Sequence, residues 1–241
     1  MNTMARTRKK RASLEVEDAT KARAAAKALG PMEHAFIEWL YTNGARASEP
    51  GLARLSDIDL RAGTVMLVHL KGGKAKDPMP LSQRCREAIE AWLTVRGEHF
   101  VDPKQQRDYL FPSRSPQPCY PCRGEGELVV KKKRGRKASG GEAAPPLLPC
   151  PHCRATGTRW GLSRHEAARI VRRVFKAAGL PAELAFPHVF RHSAATHMLD
   201  KDINPAVIQE RLGHSALATT LGYLHTTKKA RAAIGRVFDE E

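Results

Sequence analysis

Cys119-Tyr-Pro-Cys122 and Cys150-Pro-His-Cys153 repeat one spacing on either side of a lysine-rich stretch. A two-residue gap lets both thiolates of a pair face a single tetrahedral ion at about 2.3 Å. The spacing therefore predicts that the chain folds back so that the two pairs meet. Gly124 and Gly126 follow the first pair and Gly157 the second, permitting tight turns that aim backbone amides at the sulfurs. A structural Zn²⁺ held by Cys119, Cys122, Cys150 and Cys153 is expected. Four thiolates close the coordination sphere, so the ion would be structural rather than catalytic. Two redox-active dithiols, or a site that has lost its metal, are the alternative readings. From Ser113 to Arg159, Pro, Gly, Cys and Lys dominate and no long apolar period survives. Residues 113–160 thus read as an insertion into an otherwise helically patterned chain. Cys85 lies on the apolar face of a predicted helix and reads as a core residue.

Charge narrows the function classes. Lys and Arg number 41 against 25 Asp and Glu, a formal net charge of +16. Such an excess points to a polyanionic partner, above all nucleic acid. No run of 18 apolar residues exists, so no transmembrane helix is expected, and the charged N-terminus has no apolar segment of a secretory signal. The expectation is a cytoplasmic protein. Residues 1–13 read as a flexible basic arm. Lys131, Lys132, Lys133, Arg134, Arg136 and Lys137, between the cysteine pairs, read either as a solvated loop or as a phosphate-contacting strap.

Outside the insertion the pattern is mainly helical. Helices are expected over 14–29 and 32–43, and a further helical stretch near Glu49–Leu55. Thr64–Leu70 reads as a strand, with a turn at 71–74 and a short return at Pro78–Leu81 that its prolines confine to an edge. Gln83–Arg96 is amphipathic through Cys85, Ala88, Ile89, Trp92 and Leu93. Ser163 and Glu166 form a capping box ahead of Ala167, Ile170, Val171, Val174 and Phe175. Further helices fill 187–237, one of them running from Asn204-Pro205 to Gly213, and a last one near Lys228–Val237.

Four separated motifs carry the chemistry. Gly44-Ala-Arg46-Ala-Ser-Glu49 is followed by Asp57-Ile58, then Lys71-Gly-Gly-Lys74 with Pro80-Leu81. His188-Val-Phe-Arg191 follows, and last come Leu212-Gly-His214 and Tyr223. In this order and spacing the set resembles the tyrosine recombinase (phage integrase) family, across most of the chain except the arm and the insertion. Pro50, Ala53, Phe190 and Ala194 depart from the common residues at their positions without removing a polar group.

The resemblance implies an α+β, mainly α catalytic domain over 14–241 with a small β-hairpin or sheet and the inserted zinc-knuckle segment. It implies site-specific recombination of double-stranded DNA through a covalent 3′-phosphotyrosyl intermediate. Arg46 and Arg191 would neutralise the phosphate, His214 would donate to it, and Tyr223 would attack. His188 would take the phenol proton, and Lys71 would protonate the leaving 5′-oxygen, with Lys74 as competitor. Glu49 would play a supporting part by orienting Arg46 or His188. No cofactor is implied for catalysis. A homo-oligomer on DNA, dimer or tetramer, is implied. Family members usually carry a helical core-binding domain ahead of the catalytic one. This chain resembles the catalytic-domain-only members, so an accessory protein is a further possible partner. A non-catalytic DNA-binding module of the same fold, or a type IB topoisomerase-like relaxing enzyme, is the alternative.

Overall fold

The computed structural model describes residues 13–69, 73–74, 77–119, 122–129, 147–150, 153 and 155–213. Helix α1 (Val16–Leu29) buries a stripe of Ala19, Ala22 and Ala26, small enough to let α1 lie close against its neighbours. Gly30, at φ 143°, ends α1 and leads straight into α2 (Pro31–Asn43), whose proline occupies the first helical position. Helix α2 is the central element. Ala35, Phe36, Ile37, Trp39 and Leu40 are all buried, because α1 packs on one side and the later helices on the others. Gly44, in the left-handed region at φ 58°, ends α2 and turns the chain toward Arg46.

The segment after Glu49 departs from the helical expectation. It forms two single 3₁₀ turns, Pro50–Leu52 and Leu55–Asp57, separated by extended Ala53. Pro50 removes an amide and Gly51 favours no helix, so the local pattern cannot propagate. The expected strand over 64–70 is likewise split. β1 (Ile58–Asp59), β2 (Thr64–Val65), β3 (Val68–His69), β4 (Gly73–Lys74) and β5 (Met79–Pro80) form a three-stranded antiparallel sheet in the order β1-β2-β5 and a separate β3-β4 ladder. Thr64 pairs with Pro80 and Val65 with Met79, so the proline sits on an edge strand, as expected.

Helix α3 (Gln83–Val95) starts where the Ser82 hydroxyl accepts from the Cys85 amide at 3.2 Å, and it buries Cys85, Ala88, Ile89 and Trp92. The Trp92 indole donates to the Leu110 carbonyl at 2.8 Å. The one-turn α4 (Pro103–Gln106) leads to β6 (Pro112–Pro118). The chain then enters the cysteine-bearing segment, with β7 (Glu127–Val129) paired to β8 (Leu147–Pro149), and leaves through β9 (Thr158–Gly161), paired to β6.

Helix α5 (Arg164–Ala177) opens on the expected capping box. The Ser163 hydroxyl accepts from the Glu166 amide at 3.2 Å, and the Glu166 carboxylate accepts from the Ser163 amide at 2.8 Å. Its apolar face, Ala167, Ile170, Val171, Val174 and Phe175, is buried. α6 (Pro187–Asp200) and α7 (Pro205–Leu212) complete the described fold, α7 running from an Asn204 cap to left-handed Gly213. Alanines are numerous in the core, but Trp92, Phe36, Phe111, Phe175 and Phe190 supply its largest side chains. No helix among the described residues is long and apolar enough to cross a membrane.

Candidate active site and metal centre

Arg46 and Arg191 come from distant parts of the chain and converge on the end of α7. Arg46 lies in the turn after α2. Its amide and its Nη1 both donate to Glu49, each at 2.7 Å, while its Nη2 donates to the Gly213 carbonyl at 3.1 Å. Glu49 is 5% exposed, whereas the Arg46 side chain keeps 19%. A buried carboxylate thus holds a guanidinium that still faces solvent, a geometry suited to an incoming anion.

Arg191 is set deeper, at 3% exposure, on the second turn of α6. Its Nη1 donates to the Gly44 carbonyl and its Nη2 to the Leu212 carbonyl, both at 2.7 Å. A Cβ on Gly44 would lie 2.1 Å from the Leu212 side chain, so only glycine permits this closeness of α2 and α7. The result is one knot of Gly44, Leu212 and Gly213 carbonyls bound by two permanent cations.

His188 stands one helical turn before Arg191 and keeps an exposed face. Desolvation of its inner side, then the positive charges of Arg191 and Arg46, hold it below the usual histidine range; Glu49 pulls weakly the other way. At neutral pH the ring is uncharged and able to accept a proton. Lys71, His214 and Tyr223 lie outside the described residues, as do Lys131, Lys132, Lys133, Arg134, Arg136, Lys137, the arm up to residue 12 and the helix expected at 228–237. Lys74 is placed only as backbone in β4.

Two arginines matter that spacing does not single out. Arg211, on α7, donates through Nε to the Thr42 carbonyl at 2.9 Å, and through Nη2 to Asn43 Oδ1 and the Pro80 carbonyl, each at 3.0 Å. It fixes α7 to the end of α2 and to β5. Arg159, on β9, is 4% exposed. Nothing in a lone arginine at either place separates it from a solvated one. The only hint is that each borders a motif. Arg54 stacks on the Tyr109 ring at 3.5 Å. His197 is a packing residue: it contacts Tyr41 Oη at 2.6 Å and the Leu14 carbonyl at 3.0 Å.

The four cysteines meet. Cys119 and Cys150 sulfurs are 3.8 Å apart, Cys122 and Cys153 sulfurs 3.7 Å, and all four lie within 4.8 Å of one another. A disulfide needs about 2.05 Å, whereas a tetrahedral ion with 2.3 Å bonds spaces its sulfurs by about 3.8 Å. The two knuckles are built alike. The Cys119 amide donates to the Gly157 carbonyl at 2.8 Å, and the Cys150 amide to the Gly126 carbonyl at 2.7 Å. Burial alone would raise the Cys122 thiol, but amides of Gly126 and Gly124 and the neighbouring thiols bring it down to about 7. The donor set and spacing fit a thiophilic ion such as zinc.

The sequence matches the model of the Phage integrase family over residues 13–230. The chain belongs to the phage integrase family, the tyrosine recombinases. Tyrosine recombinase XerC of Azotobacter vinelandii is 30% identical to this integrase-family chain over 202 residues, covering 84% of this chain and 50% of the relative. Tyrosine recombinase XerD of Mycobacterium tuberculosis is 32% identical over 204 residues, covering 83% and 51%. The chain thus spans about half the length of the curated relatives it matches. Among solved structures, XerA recombinase superposes with a TM-score of 0.64 at 22% identity, over 97% of this chain and 65% of that one. XerH site-specific recombinase bound to difH substrate superposes at 0.61 with 18% identity, over 94% and 54%. The fold of this integrase-family chain is therefore the tyrosine recombinase catalytic fold, mainly helical with small sheets.

Proposed function

We propose that this chain is a site-specific DNA recombinase that cleaves and rejoins strands through a covalent 3′-phosphotyrosyl intermediate. The observation that carries the reading is the convergence of Arg46 and Arg191 on the Leu212–Gly213 carbonyls, with neutral His188 one turn away. In this reading the two guanidiniums neutralise the non-bridging oxygens of a scissile phosphate, which supplies charge stabilisation without a catalytic metal. Glu49 holds Arg46 in place. His214, adjoining Gly213, donates a further hydrogen bond to the phosphate.

The Tyr223 phenol oxygen attacks phosphorus, its proton passing to His188, and the bond from phosphorus to the 5′-oxygen breaks. Lys71, or Lys74 in its stead, gives that oxygen a proton. A 5′-hydroxyl from a second strand then reverses the steps and releases Tyr223, so no external energy source is required. Strand exchange of this kind needs paired sites and hence a homo-oligomer on double-stranded DNA. XerH is named as bound to its difH substrate, and a lambda integrase as a dimer on a core site, which supports the same class of partner here. A separate core-binding protein is a candidate accessory partner.

Cys119, Cys122, Cys150 and Cys153 are the residues that would hold a structural zinc ion. It would fix the insertion over 113–160 and present Lys131, Lys132, Lys133, Arg134, Arg136 and Lys137 to DNA phosphates.

The test uses a suicide substrate from the DNA flanking the gene, without added divalent metal. A detergent-stable protein–DNA adduct is expected, absent in Tyr223→Phe. Salt-sensitive binding with no adduct on any flanking fragment would instead mark a binding module. Zinc is checked separately by elemental analysis of dialysed protein, where one ion per chain is expected.

A further inference from the structure

We propose that Arg159 is a positioning residue tying the cysteine ribbon to the Arg46–Glu49 turn, so that zinc occupancy sets how firmly that turn is held. The proposal rests on the zinc reading above. β9 leaves the second knuckle with no spacer: Gly157 accepts from the Cys119 amide at 2.8 Å, and Thr158 begins the strand. The same strand then lies backbone to backbone on Pro50–Leu52. A Cβ on Gly51 would stand 1.9 Å from the Leu162 carbonyl, and one on Gly161 1.9 Å from the Gly51 carbonyl. Neither position has room for a side chain, so a shift of β9 passes to the turn without slack.

Arg159 bridges the remaining distance. It is 4% exposed, and its Nη1 donates to the Gly51 carbonyl at 3.2 Å. Its Nε is buried with no hydrogen-bond partner among the described residues. Gly51 follows Glu49 by two positions, and the Leu52 amide donates to the Glu49 carbonyl at 2.8 Å. Glu49 in turn clamps Arg46. A buried cation is costly unless opposed by negative charge, and a zinc ion with four thiolates carries about −2. Burial lowers the Arg159 pKa, and negative charge at Cys119, with Tyr109 and Glu166, opposes that shift. The loaded ribbon therefore stabilises Arg159 where it supports Gly51.

Hydrogen exchange followed by mass spectrometry on the whole chain tests this, with zinc as the probe and a chelator to withdraw it. Withdrawal is expected to speed exchange of the amides of Glu49 and residues 51–54 at least about tenfold while amides 189–200 in α6 hold their rates. Arg159→Gln should do the same with one zinc still bound, and Arg159→Lys, which keeps a cationic donor, should restore part of the protection. Unchanged exchange at these amides in either arm, in a chain shown to bind one zinc before withdrawal, overturns the proposal and leaves the zinc reading standing. A rise shared equally by α6 overturns it too, since zinc would then be a requirement of the whole fold. If Arg159→Gln does not fold, the withdrawal arm on the unmodified chain decides alone. If no zinc binds, stoichiometry shows that the metal reading has failed, and this proposal fails with it.

Discussion

His188 is held below the ordinary histidine range by desolvation and by Arg191 and Arg46, and among the described residues Glu49 opposes them. If His188 is the base, the acid limb of adduct formation should lie below about pH 6.5. Glu49→Gln removes a charge that raises this pKa, so the limb should move to still lower pH; a limb moving upward would refute the assignment. The stability linkage has the same sign. In the unfolded chain the imidazole titrates near 6.5, in the folded chain lower, so stability is lost as pH falls through about 6.5 toward the folded value. His197, also lowered chiefly by burial, adds to that loss. His197→Ala leaves Tyr41 and the Leu14 carbonyl without their partner, and urea melts should show a loss of about 1–3 kcal/mol. Arg46, Glu49, His188 and Arg191 were legible in the sequence because each belongs to a short spaced motif. Arg159 and Arg211 were not, because their importance comes from long-range carbonyl acceptors that no local pattern records.

At the scale of elements, the contact between α2 and α7 hangs on Gly44. Gly44→Ala forces a Cβ into left-handed backbone and against Leu212, and denaturant titration should register about 1–3 kcal/mol of destabilisation. Leu212→Ala, although a cavity mutation on its own, should recover part of the loss in the double variant; strict additivity would show that the clash is not the cause. Ser163→Ala removes the cap of α5 and should cost about 1 kcal/mol by the same assay. Cap residues and apolar periodicity made α2, α3, α5 and α7 legible. The stretch after Glu49 was misjudged because Pro50 and Gly51 can open a helix but cannot extend one. The strand after Gly63 was misjudged because one apolar run serves two ladders, a division set by its partners rather than by its own residues.

Across the whole molecule, charge is the clearest sequence signal and the one most open to measurement. Replacing Lys131, Lys132, Lys133, Arg134, Arg136 and Lys137 by Ser should reduce the slope of log affinity against log salt by up to about 5, if all six meet phosphates. An unchanged slope would make the stretch a solvated loop. Its attachment has a consequence for redesign. Val129 on β7 pairs with Leu147 on β8, so the ends of the segment between them are held side by side. Lengthening a segment with fixed neighbouring ends costs only about 0.6 kcal/mol per doubling. The ribbon is therefore a socket, into which a foreign DNA-reading head can be spliced while Arg46 and Arg191 keep their places.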